Sequence, residues 1–301
     1  LTGKYLMAFH ACNTATTDCN DPQNHMVYVA QSDDGASWSP VPGYVAYSGS
    51  VPDLVRRENV LYVYSPGIVR RYRIDMDAWE DPVPVRLTGS NGSSEEFVDP
   101  SAWVDEEGRI VLFYMVGMRG GDPAQCAPGQ MTCTKIFRSA TEVEGGDGAD
   151  FLADEGNRVE IQISYQPMGS ENFWMGTASD PDIFNDTNGY VLYISRGNSV
   201  QVFTSNELRG SYVVASSLPN GLLSSNLGGI ASGYYDAGSG KYWTYVHSNQ
   251  AGTAEIMRAV HSSIASPLTQ GQFSTIISGA TFPGLGSTYR VESPGFAVNA
   301  P

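Results

Sequence analysis

The sequence predicts an all-β fold: a five-bladed β-propeller of four-stranded antiparallel blades, its ring closed by the C-terminal strand completing the first blade. A cycle of four short strands recurs five times along the 301 residues. The two chain ends are complementary, because the chain begins on the second strand of a cycle and ends on an opening strand with no partner after it. No stretch carries a sustained amphipathic helical period. A β-sandwich does not call for five copies of one cycle, and β-helix repeats are much shorter. A propeller also leaves only short, protected sheet edges, which keeps so strand-rich a chain in solution.

Taken in order, residues 3–11 form a strand, followed by a Cys-bracketed loop, a strand over 25–32, the turn Asp33-Asp34-Gly35-Ala36-Ser37-Trp38 and a strand over 43–47. The second cycle opens at Val51-Pro52-Asp53-Leu54-Val55 and continues over 59–65, 68–74 and 82–87. The third opens at Asp99-Pro100-Ser101-Ala102-Trp103. Pro lacks an N–H and suits the first residue or edge of a strand, which places Asp99 at a strand mouth. Asp105-Glu106-Glu107-Gly108 is its hairpin turn, with Gly108 free to take positive φ, and strands over 109–116, 134–140 and 158–164 follow. The fourth opens at Ser179-Asp180-Pro181-Asp182 and runs over 190–195, 200–205 and 212–216. The fifth opens at Gly228-Gly229 and runs over 241–248, 255–261 and 273–277. Residues 292–298 return to the first blade. The stretch 149–177 is longer than one strand and has room for an extra hairpin or a lid. We expect one propeller domain over 1–301.

The net charge of −15 and pI of about 4.5 disfavour nucleic acid and anionic membrane as partners. No apolar run reaches membrane-spanning length. The four Cys fall in two local pairs of equal spacing, Cys12/Cys19 and Cys126/Cys133, which reads as two small-loop disulfides, with free buried thiols as the alternative. Together with a first residue that is not Met, this gives the expectation of a secreted or periplasmic monomer whose leader has been removed.

The inner strand of each blade lines the axial channel, so the acids near its start converge on one mouth: Asp53, Asp99, Asp180, Asp182 and Glu292. Carboxylates gathered in one polar pocket shift one another's pKa, as a general acid and base require. The same gathering suits a bound Ca²⁺ in the channel. Taken singly, each Asp equally well caps loop N–H groups. His10, His25, His247 and His261 show no metal spacing and read as packed or surface side chains. Trp103 and Trp174 can stack on sugar rings or simply pack, Arg56, Arg57, Arg70 and Arg71 are candidates for a carboxylated sugar, and Glu171 is an alternative acid.

Two of these stretches resemble a known family. Val51-Pro52-Asp53-Leu54-Val55 with Tyr62-Val63-Tyr64-Ser65, and still more Asp99-Pro100-Ser101-Ala102-Trp103 with Asp105-Glu106-Glu107-Gly108, resemble blades of glycoside hydrolase family 43, the arabinanases and β-xylosidases. Ser32-Asp33-Asp34-Gly35-Ala36-Ser37-Trp38 is similar to a turn of that family and of the related sucrose- and fructan-cleaving families. The resemblance implies a general-base Asp, a pKa-tuning Asp and a general-acid Glu. Asp99 matches the tuner. The base position of blade one reads Glu292-Ser293-Pro294, the acid position of blade four reads Asp180-Pro181-Asp182, and Gly228-Gly229 stands where the family has a channel His. The implied function is inverting hydrolysis of poly- or oligosaccharides, with Glu292 and Asp180 as the acid–base pair, Asp99 as tuner and Asp53, Asp182, Trp103 and Trp174 on substrate. The alternative is a propeller that binds carbohydrate without cleaving it.

Overall fold

The computed structural model describes residues 1–117, 125–126, 129–249 and 253–300. They form five separate sheets arranged as the blades of a propeller. Blade one joins the chain ends: its inner strand Tyr289–Val298 pairs antiparallel with Tyr5–Asn13, Tyr5 opposite Val298 and Asn13 opposite Tyr289. Met26–Ser32 follows, with Ser39–Pro40 and Tyr47–Ser48 sharing the outer edge. Blade two runs outward from Asp53–Arg57 through Val60–Ser65 and Ile68–Arg73 to Ala78–Trp79 and Val83–Pro84. Blade four runs from Ser179–Asp186 through Gly189–Ser195 and Val200–Ser205 to Val213–Val214 and Leu222–Ser224. Blade five is Gly229–Asp236, Lys241–Ser248, Glu255–His261 and Phe273–Ile277.

Blade three departs furthest from the expected pattern. Its strands Phe97–Val104 and Ile110–Val116 lead to an 11-residue strand, Thr132–Glu142. The two halves of that strand take different outer partners, Val159–Ser164 and Asp150–Ala153. A sixth strand, Arg86–Thr88, adds in parallel to Asp150–Ala153. The expected strand over 82–87 is therefore divided, with Val83–Pro84 closing blade two and the chain then crossing to blade three. Pro82 and Pro84 have no N–H with which to continue a ladder. Beyond them, Arg86 Nε donates to Asp150 Oδ1 at 2.5 Å on the neighbouring blade. The long stretch after residue 149 supplies two outer strands and a short 3-10 turn, Phe173–Gly176.

The core is not one mass but five, one between each pair of adjacent blades. The reason is the two-residue pleat of a strand. In Ile110–Val116, Leu112 and Tyr114 face blade two while Val111, Phe113 and Met115 face blade four. In Tyr5–Asn13, Leu6 and Ala8 face blade two while Tyr5, Met7 and Phe9 face blade five. Both faces are buried, which is why these strands read as unbroken apolar runs rather than alternating ones. The turn at Asp34 docks the rim of blade one onto blade five: Gly35 takes φ 68°, and its carbonyl accepts the Tyr245 hydroxyl at 3.0 Å. No helix among the described residues is long and apolar enough to cross a membrane. Both disulfides are formed, Cys12–Cys19 and Cys126–Cys133.

Candidate functional site

At the start of each inner strand one non-glycine residue sits in the left-handed region: Ser293 (φ 57°), Val51 (45°), Asp99 (54°), Asp180 (47°) and Ile230 (46°). For β-branched Val51 and Ile230 this conformation costs on the order of 1–3 kcal/mol each. Four of the five are followed by Pro, and in four blades the ladder is interrupted there by a bulge. The bulge turns the N–H of the strained residue out of its own sheet, so that it needs a partner elsewhere.

In four of the five blades that partner comes from the preceding blade. His10 Nδ1 accepts from Val51 N at 3.1 Å, His247 Nδ1 from Ser293 N at 3.2 Å, and Ser195 Oγ from Ile230 N at 3.0 Å. These acceptors occupy equivalent places. In the second-strand windows 5–10, 60–65, 110–115, 190–195 and 242–247 the last residues are His10, Ser65, Met115, Ser195 and His247. Blade three has Met115, whose thioether is a weak acceptor. The N–H of Asp180 is bound instead by Asp99 Oδ2 at 3.2 Å.

Two residues beyond the strained position, three of the blades make a second set of links. Asp53 Oδ2 accepts from Ala102 N at 2.7 Å, Ser101 Oγ from Ile183 N at 3.1 Å, and Asp182 Oδ2 from Gly233 N at 2.8 Å. Asp53 and Asp182 thus join blade two to three and blade four to five. The equivalent residue of blade one is Gly295, where a Cβ would lie 2.5 Å from Asp53 Oδ1 and 2.7 Å from the Pro52 carbonyl oxygen.

The two sets of links enclose an axial cavity of about 20 Å³, room for one water, lined by Asp53, Asp99, Asp180, Asp182 and Ser293 among others. Burial, and then the charge of Asp99, raise the Asp180 carboxyl well above the usual range. Asp53 is pushed up to about 7 by burial, against the N–H bonds from Ala102 and Leu54. Asp182 is raised by burial and by the charge of Asp53. Asp53 Oδ1, Asp180 Oδ1 and Ser293 Oγ are buried with no protein hydrogen-bond partner. Among the described residues no three of these carboxylates bring oxygens within 4.8 Å of one another, so they do not form the gathered donor set that the Ca²⁺ expected from the sequence would need.

Glu292 lies apart from this group. Blade one gives the cavity Ser293, Pro294 and Gly295, and Glu292 turns to His10 (3.4 Å) and Arg290 (2.6 Å). Burial works to raise its carboxyl. The His10 hydrogen bond, the histidine charges and the Arg290 bond outweigh that and hold it at about 2. Burial lowers His10 to about 4, so at neutral pH the fixed cation beside Glu292 is Arg290. His10, His25 and Glu292 bring ligand atoms within 4.8 Å of one another, a gathering that sequence spacing concealed. The hydrogen bonds speak against a metal there. His10 Nδ1 accepts from Val51, so in the neutral ring Nε2 carries the proton and donates to Glu292. His25 is stacked on His10 at 4.1 Å, donates from Nε2 to the Cys19 carbonyl at 3.1 Å and pairs through Nδ1 with Ser50 Oγ at 2.8 Å. Neither ring keeps a free lone pair.

The remaining expected residues are not brought to this mouth. Trp103 is four residues along its strand from Asp99, roughly 13 Å. There it packs on Tyr190 and lines the opposite mouth, a cavity of about 230 Å³ with Phe184, Tyr234 and Phe296. Trp174 stands in a separate groove between blades three and four, over the Arg196 guanidinium. Arg57 pairs with Glu142, and Arg71 with Glu80 and Asp147. Arg70 lies over Tyr44, Tyr47 and Trp79. Arg56 holds Asn299. Glu171 is exposed. The acceptor ring of His10, Ser195 and His247 escaped sequence reasoning, although aligning the five second strands would have exposed it.

No protein-family model and no curated protein matches the chain. Among solved structures it is similar to the endo-arabinase from Bacteroides thetaiotaomicron (14% identity, 88% of this chain and 89% of that chain covered, TM-score 0.53). It is also similar to a glycoside hydrolase family 43 arabinoxylan arabinofuranohydrolase from Bacillus subtilis (14%, 92% and 66%, TM-score 0.57). A protein of unknown function from Dyadobacter fermentans is similar as well (11%, 94% and 82%, TM-score 0.54). At this identity the likeness is one of fold.

Proposed function

We propose that the chain is a glycoside hydrolase acting on poly- or oligosaccharides at the mouth where its inner strands begin. The observation that carries the reading is the Asp99–Asp180 pair, two carboxyls from adjacent blades beside a cavity with room for one water. Asp180, whose carboxyl is raised well above the usual range by burial and then by Asp99, serves as general acid toward the leaving oxygen. Asp99 adds to that shift and holds the Asp180 backbone. Glu292, ionised, is the remaining carboxylate for activating water, and an inverting reaction needs it about 6.5–9.5 Å from the acid. Asp53 and Asp182 hold blades together and contribute negative potential. The solved relatives named for arabinan and arabinoxylan chemistry support a sugar as substrate. Two disulfides support an oxidising compartment, extracellular or periplasmic.

The second reading is a propeller that binds carbohydrate without cleaving it. It is favoured by the engagement of Glu292 with His10 and Arg290 and by Ser293 in the cavity wall. A screen of aryl-glycosides and polysaccharides with the wild type, Asp99→Asn, Asp180→Asn and Glu292→Gln separates the two. Hydrolysis requires turnover that falls by at least about 100-fold in Asp180→Asn. Saturable sugar binding with no turnover on any substrate establishes the second reading.

A further inference from the structure

Arg196 follows the second strand of blade four and is only 4% exposed. Its Nε donates to the Thr177 carbonyl at 2.6 Å, Nη1 donates to Gln201 Oε1, and the guanidinium lies 5.3 Å from the Trp174 ring. All these partners are neutral, and among the described residues Arg196 makes no ion pair. The other buried arginine, Arg158, is different: it donates to the carbonyls of Gly210, Glu155 and Gly156, and Asp154 lies close enough to offset its charge. A buried cation without a counter-charge costs several kcal/mol, so a charge kept in that state points to an anion supplied from outside.

The surroundings give that anion a place. Arg196 lines an open groove of about 570 Å³ between blades three and four, together with Gln162, Ser164, Trp174, Met175 and Gln201. Nη2 has no protein partner among the described residues. Trp174 is half-exposed and offers an aromatic surface, and the amides and Ser164 offer hydrogen bonds suited to hydroxyl groups. Gln201 is held by Arg196 and by its own bond to the Asn220 carbonyl at 2.8 Å, so the polar floor is already ordered. Glu160 on the rim is exposed and accepts from Asn157. Thr177, which anchors the guanidinium, lies three residues before Asp180, at most roughly 10 Å of chain.

We infer that this groove is a binding site for an acidic saccharide, with Arg196 taking the carboxylate of a uronate, or a sulfate ester in the same place, and Trp174 taking the sugar ring. The choice of a sugar as carrier of the anion rests on the carbohydrate reading above, whereas the anion site rests on Arg196 and the groove. Burial lowers Arg196 only to about 10, so it stays charged at neutral pH.

The test is calorimetric titration of the intact protein with trigalacturonate, its carboxyl-reduced neutral counterpart and a sulfated galactose trisaccharide. The wild type is expected to bind at least one acidic probe about tenfold or more tighter than the neutral sugar, and Arg196→Gln to remove that preference. Trigalacturonate alone marks a uronate site, and the sulfated probe alone a sulfate-ester site. Arg196→Lys keeps the charge without the planar fork and is expected to fall between. Trp174→Phe is expected to abolish the tryptophan fluorescence change on binding. Asp180→Asn is expected to retain binding while losing any turnover. Binding without turnover would count against hydrolysis and leave this site standing. Equal affinity for acidic and neutral sugars, no saturable binding of either acidic probe to the wild type, or an unchanged preference in a folded Arg196→Gln would overturn it.

Discussion

The Asp180 backbone N–H donates to Asp99 Oδ2 at 3.2 Å across the boundary between blades three and four, in the place where other blades use His10, Ser195 or His247. One carboxylate therefore both closes a structural link and adds to the upward shift that burial imposes on its neighbour. The two roles separate by mutation. Asp99→Ala leaves a buried N–H unpaired and is expected to cost about 1–3 kcal/mol in urea unfolding. Asp99→Asn keeps an oxygen acceptor, so stability is expected to stay within about 1 kcal/mol of wild type. With the neighbouring charge gone, the Asp180 pKa is expected to fall, read by carboxyl chemical shifts against pH. A stable Asp99→Ala would refute the link.

Asp53 gives a pH dependence of defined sign. Its folded-state pKa, about 7, lies above the 3.8 of an unperturbed aspartate, so the folded state binds the proton more tightly. The associated stability is fully present below pH 4 and is lost as the pH rises through 7. Asp53→Asn keeps an acceptor for Ala102 N–H and removes the titration. Its melting temperature should vary less than that of the wild type between pH 5 and 8. Parallel profiles for the two proteins would contradict the assignment.

Glu292 works in the opposite direction. Its folded pKa of about 2 lies below the 4.5 of an unperturbed glutamate, so the stability it contributes is present above pH 4.5 and is lost as the pH falls toward 2. Glu292→Gln is expected to be less stable than wild type at pH 6 and to approach it at pH 2–3, measured by denaturant titration at each pH.

Gly295 is where blade one meets blade two most closely. Gly295→Ala would force a methyl against Asp53 Oδ1 and the Pro52 carbonyl and is expected to destabilise the protein by about 1–3 kcal/mol. Gly271, whose Cβ would meet nothing within 4 Å, provides the control: Gly271→Ala should change the urea midpoint little.

The Cys12–Cys19 bridge closes a small loop whose Cys19 carbonyl accepts from His25, the ring stacked on His10. Cys12→Ser/Cys19→Ser is expected to cost about 2–3 kcal/mol, the entropy of a loop this short, and to broaden the His25 imidazole resonances while leaving those of blade four unmoved. Unchanged His25 resonances would show that the bridge does not position that ring.

By itself the sequence determined the repeating part of this protein. Unbroken apolar runs such as 110–115 announce strands covered on both faces, Asp-Pro and Val-Pro steps mark where inner strands begin, and the unmatched first and last strands announce closure. These are local properties, carried by side-chain size, the missing proline N–H and the two-residue pleat. Which acid belongs to which role was decided only in the tertiary structure. Asp53, Asp182 and Glu292 read alike as acids at strand mouths. Yet the first two are held by the N–H groups of the next blade and pushed toward neutrality, while the third is turned to His10 and Arg290 and held ionised. Trp103 and Asp99 share one strand and lie at opposite mouths, and the crossing of Arg86–Thr88 into blade three follows from a partner 64 residues away. Burial, proton affinity and orientation depend on what neighbouring blades place around a residue, and no strand carries that information in its own order of residues.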